Sequence, residues 1–126
     1  MTRRQPIAAE HGLTLVELLV VLMVMAILLA VTMASYIGYK NKADRVTAQA
    51  NVHVILPSLE GYRADNETYI GMTLLGLKLN YDQSIDPSMY TLTSLTDTDY
   101  CVSAKSGNQA WKKTGPDADV VTGECP

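Results

Sequence analysis

The chain has 126 residues and a net charge of −3, with 48% hydrophobic and 18% charged residues, so it holds one small folded domain plus one apolar segment and leaves no room for a second domain of ordinary size. Ten basic residues against thirteen acidic ones give no electrostatic footprint for nucleic acid over the domain as a whole. Without Arg3, Arg4 and Glu10 the charge is −4.

Residues 1–12 are polar, contain Pro6 and read as a leader that is removed. The run that follows, GLTLVELLVVLMVMAILLAV from Gly12, is apolar except for Thr14 and the carboxylate of Glu17. At ~1.5 Å per residue a helix over 13–37 crosses a hydrocarbon core of ~30 Å. A charge inside it costs on the order of 3 kcal/mol and calls for a partner. A cut after Gly12 supplies one in the α-amino group of Leu13, one helical turn from Glu17 in the same chain or reached from a neighbouring copy.

The helix is expected to continue past the apolar segment to about residue 62, with Ala43, Val46, Ala50 and Val54 spaced as a core-facing stripe and Lys42, Arg45, Gln49 and Asn51 mostly elsewhere. Pro57 is expected to kink it, or end it, near Leu56. The mixed stretch Gly61-Tyr62-Arg63-Ala64-Asp65-Asn66-Glu67-Thr68-Tyr69 marks entry into a loop. A short helix is expected over 72–79, starting near Met72 or Thr73 with Asn80 after it, then a loop over 82–87. Strands are expected over 89–95, 100–104 and 109–113, with a turn at 105–108 and an extended or fourth-strand segment at 119–122. Consecutive strands with short connections favour an antiparallel meander packed on the helix, an α+β fold.

Cys101 and Cys125 are an even pair in a chain built for export, which points to a disulfide; two free thiols or half of a metal site are the other readings. Metal ligation is poorly served, because His11 and His53 are distant in sequence and there is no CxxC spacing.

Enzyme constellations are missing from the sequence. His53 is a lone imidazole on the helix, and Ser103, Lys105 and Ser106 lack the strand–turn–helix setting of a hydrolase nucleophile. Asp97, Asp99, Asp117 and Asp119 would ligate calcium if two loops converged, and otherwise form a solvated acidic surface. Trp111 and the seven tyrosines read as core and edge packing rather than base-stacking platforms. No cofactor, metal or catalytic residue is assigned. Lys40, Lys42 and Arg45 cluster just beyond the apolar segment, where each gains about 1 kcal/mol at an anionic membrane surface or else pairs with acidic residues of an adjacent subunit.

The residues Gly12, Leu13, Thr14, Leu15, Val16, Glu17, Leu18 and Leu19 resemble the prepilin signature of type IV pilins and type II secretion pseudopilins. The resemblance implies cleavage between Gly12 and Leu13 by a membrane prepilin peptidase, N-methylation of Leu13, and a role for Glu17 in assembly. The family usually begins its mature chain with Phe or Met, and carries helix-breaking Gly and Pro where this chain has Ala26 and Ala34, so a more continuous first helix is expected here. The organisation implied is a leader over 1–12, a transmembrane or filament-core helix over 13–37 and an extracytoplasmic pilin-like domain over 38–126. Counting Lys and Arg alone would place the domain inside; the leader motif and the cysteines place the leader in the cytoplasm and the domain outside. The implied function is a structural filament subunit, made as a single-pass precursor in the cytoplasmic membrane and then placed in a cell-surface or periplasmic filament with other subunits as partners. Two alternatives stand beside it. One is a DNA-uptake pilin, marked by salt-dependent DNA binding. The other is a secreted binding module cut as a conventional signal peptide after Thr32-Met33-Ala34, leaving Ser35 first.

Overall fold

The computed structural model describes residues 14–126, so the leader and the Gly12–Leu13 junction lie outside the described residues. One helix dominates: α1, Leu15–Asn66, 52 residues long. Its first half is built from Leu, Met, Ala and Val with neither Gly nor Pro before Gly38. A second helix, α2, spans Leu74–Asn80, and a 3₁₀ turn spans Pro87–Met89. Four strands follow: β1 Tyr90–Thr93, β2 Cys101–Ser106, β3 Gln109–Thr114 and β4 Val121–Thr122. They pair antiparallel in sequence order, with Ala104 opposite both Tyr90 and Trp111. The α+β class and the meander are as the sequence implies.

The chain divides into two compact units at Gly38 and Tyr39. In the first, every described side chain of α1 is exposed. In the second, Val52, Ile55 and Leu59 of α1 meet Tyr69, Met72, Leu77, Ile85, Tyr100, Val102 and Ala104 in one buried cluster. The helical stripe expected to face the core is therefore the wrong one. Ala43 and Ala50 are exposed, and Val46 and Val54 are 59% and 54% exposed. The buried face is Ala48, Val52, Ile55 and Leu59, which keeps the same three- and four-residue rhythm turned around the axis.

Pro57 does not end the helix. It sits exposed inside α1, and the buried residues on both sides of it, Ile55, Ser58 and Leu59, hold the helix through the missing amide. The end comes at Asn66, later than the expected 62, where the Asn66 side chain donates to the Tyr62 carbonyl and the Glu67 amide to the Arg63 carbonyl. Glu67 takes the left-handed conformation, φ 59°, that usually falls to glycine at a helix end. Gly61 is not a stop signal; a Cβ there would lie 3.1 Å from the Tyr81 ring, so it is the place where that ring packs on the helix.

The short helix opens as expected, on Thr73, whose hydroxyl accepts from the Gly76 amide. Strand β1 is shorter than expected, β2 runs on to Ser106, and the turn narrows to Gly107 and Asn108. Strand β2 is covered on both faces. Val102 and Ala104 enter the core, while Cys101 and Ser103 point the other way and are covered by the chain end. There Cys125 is disulfide-bonded to Cys101, and its amide donates to the Ser103 hydroxyl.

Candidate assembly site

At the start of α1, Thr14 and Glu17 interlock. The Glu17 amide donates to Thr14 Oγ1 at 3.2 Å, and the Thr14 amide donates to Glu17 Oε2 at 2.8 Å, with Thr14 Oγ1 adding a bond of 3.1 Å to the same oxygen. This is a capping box, in which hydroxyl and carboxylate each satisfy an amide that the first helical turn leaves free. The spacing Thr14-Leu15-Val16-Glu17 carries that signature in the sequence, although against the apolar run Thr14 looks like a mere interruption. The carboxylate also lies at the positive end of the helix dipole.

Downstream of this cap, seventeen large apolar side chains between 15 and 37 are 49% to 79% exposed. Burying such a side chain is worth about 1.5 to 3 kcal/mol, so moving all of them out of water into lipid or against other helices would gain on the order of tens of kcal/mol. The segment meets the length and composition of a membrane span, and it requires lipid or other helices around it.

Lys40, Lys42 and Arg45 are exposed and make no ion pair; among the described residues the ion pair is Lys105 with Glu124, at 3.3 Å on the surface. The opposite end of the domain is acidic. Asp97 accepts from the Thr68 hydroxyl, the Tyr69 amide donates to the Thr96 carbonyl, and the Asp99 carboxylate lies against Gly115. The end of α1, the loop over 94–99 and the loop after β3 are thereby gathered at one pole. Among the described residues no three His, Cys, Asp or Glu side chains converge in a group that could hold a metal ion.

Most of the remaining sequence candidates serve the fold. His53 is exposed on α1. Ser106 donates to Asp44, fastening the β2–β3 turn to the helix, and Ser103 receives the Cys125 amide. Trp111 packs on the core from β3. Tyr69 and Tyr100 stack edge to face with ring centres 4.8 Å apart, and burial pushes both phenols above the ordinary tyrosine range, with Glu60 adding to the shift.

Residues 7–33 match the family described as the prokaryotic N-terminal methylation motif. The chain is similar to the type IV wide pilus major component of Thermus thermophilus, 26% identical over 86% of this chain and 84% of that protein. It is also similar to type II secretion system core protein G, 34% identical for Klebsiella michiganensis over 53% of this chain and 45% of the relative, and 30% for Escherichia coli over 48% and 41%. The chain spans less than half the length of these secretion proteins.

Proposed function

We propose that this chain, homologous to a type IV pilin and to type II secretion pseudopilins, is a structural subunit of a pilus-like filament, held together by its apolar first helix. The observation that carries this reading is the pairing of a wholly exposed apolar half-helix with a single carboxylate capped at its start. The precursor is anchored in the cytoplasmic membrane by 13–37 with its domain outside. A prepilin peptidase cuts between Gly12 and Leu13 and methylates Leu13. The new amine belongs to the residue before Thr14, whose amide Glu17 already holds, and that amine, in the same chain or in a neighbour, is the partner of the carboxylate. Lipid solvates an apolar helix as well as another helix does, so packing fit and this charge pair select the register on leaving the membrane. The pilus-type reading is favoured over a secretion pseudopilus because similarity to the pilus component covers 86% of the chain, whereas the secretion proteins match about half of it.

Two substitutions test it. Glu17→Gln keeps the capping bonds and loses the charge; Glu17→Ala loses both. Both precursors should insert and be cut to start at Leu13, read by intact mass, and filament yield should fall by about tenfold or more for each, as expected when a buried pair loses one partner. Wild-type filament yield from Glu17→Gln would remove the charge pair from the assembly step. A mature chain starting at Ser35 would remove the filament reading altogether.

A further inference from the structure

The folded unit Tyr39–Pro126 is electrically polar along its long helix. At one end Lys40, Lys42 and Arg45 are exposed on α1, and the acidic residue among them, Asp44, is turned to the Ser106 hydroxyl. At the other, Asp65 and Glu67 stand at and just past the end of α1, Asp97 and Asp99 on the loop tied to Thr68 and Tyr69 beyond it, and Asp117 and Asp119 on the loop whose Gly115 lies against Asp99. The cations there are committed: Arg63 lies over the Tyr69 ring, and Lys113 donates to the Ala118 carbonyl. Lys42 and Asp65 are separated by a helical rise of about 35 Å.

This distribution works against the chain's own helix. Carboxylates at a helix C-terminus add to the negative end of the dipole and destabilise it, and none of the six forms an ion pair among the described residues. The charges are also too far apart to help each other within one molecule, because screening at physiological salt acts over about 8 Å. Each pole is the complement of the other, on a second copy.

We infer that the basic collar of one subunit docks on the acidic pole of another displaced along the filament axis, and that this pairing sets the axial stagger. The inference rests on the filament reading above. Copies whose apolar helices point the same way place like poles side by side, which repels; only displacement along the axis brings unlike poles together. A head-to-tail contact of this kind does not close on itself and propagates as an open filament. Charge pairs of this sort contribute mainly register and partner choice.

The test is charge reversal in the full chain, expressed in its own host in place of the wild type. One variant carries Lys40→Glu, Lys42→Glu and Arg45→Glu. A second carries Glu67→Lys, Asp117→Lys and Asp119→Lys, chosen because no side-chain hydrogen bond holds them in the fold. A third carries all six. Sheared filaments should fall about tenfold in each of the first two and return to near the wild-type amount in the third. Wild-type yield from either triple variant overturns the pairing, as does failure of the six-fold variant to recover, which would assign the collar to lipid headgroups. Filaments missing from the wild type overturn the filament reading itself. Independently of folding, Lys42→Cys and Asp117→Cys placed together in the chain should give an oxidation-dependent ladder of cross-linked subunits within filaments; monomer alone overturns the contact.

Discussion

Gly107 shows how tightly one position can be fixed by a neighbour far away in the sequence. It turns β2 into β3 at φ 55°, and a Cβ built on it would collide with the Asp44 carboxylate of α1. Two demands fall on the same atom: a left-handed backbone that costs an L residue about 1 kcal/mol or more, and a carboxylate that must stay in place to receive Ser106. Gly107→Ala should therefore lower stability by about 1 to 3 kcal/mol, read as a drop in denaturant midpoint with an unchanged slope, while the disulfide still forms. An unchanged midpoint would mean that Asp44 swings away freely and the tie to the helix contributes nothing. Glu67 is the opposite case, a carboxylate in a conformation better suited to glycine.

At the scale of elements, the sequence was legible wherever a local signal had no competitor. Thr73 capped the short helix, the strands and their order followed from alternation and the turn at Gly107, and the two cysteines meet across β2 and the chain end. It was illegible wherever two faces carried the same signal. Ala43, Val46, Ala50 and Val54 have as good a helical spacing as Ala48, Val52, Ile55 and Leu59, and only the position of the sheet decides which set is buried. Periodicity identifies an apolar stripe but not its partner. Pro57 and Gly61 misled for a related reason: both are helix breakers by propensity, and both lie where tertiary packing supplies more than propensity removes. If so, Pro57 stabilises nothing in the helix. Pro57→Ala restores an amide for the His53 carbonyl and should raise the stability of the domain by about 1 to 3 kcal/mol, seen as a higher thermal midpoint. A lower midpoint would show that the proline sets a bend on which the packing of Leu59 against the sheet depends.

For the whole molecule, the division at Gly38 separates two solvents. Every member of the buried cluster lies between Val52 and Ala104, and the disulfide closes its loop within the same unit. A loop of that length contributes about 3 to 4 kcal/mol in the chain-entropy picture, a large share for a unit this small. The side chains of 15–37 are all exposed. A Cβ at Gly38 would meet no atom within 4 Å, so packing does not require a glycine at the boundary. The chain from residue 39 to its end should then fold alone, oxidised, as a soluble monomer with a single cooperative unfolding transition, whereas the full chain should need detergent or lipid to stay dispersed. Circular dichroism and sedimentation on the two forms would check this. If the shortened chain instead aggregated, or lost its transition, the apolar half-helix would be part of the fold, and its availability for packing against other subunits would have to be purchased by unfolding the domain. If it folded, the energetic demand of seventeen exposed apolar side chains would fall entirely on lipid before assembly and on neighbouring helices after it. Subunit exchange between those two environments would then leave the sheet domain unchanged.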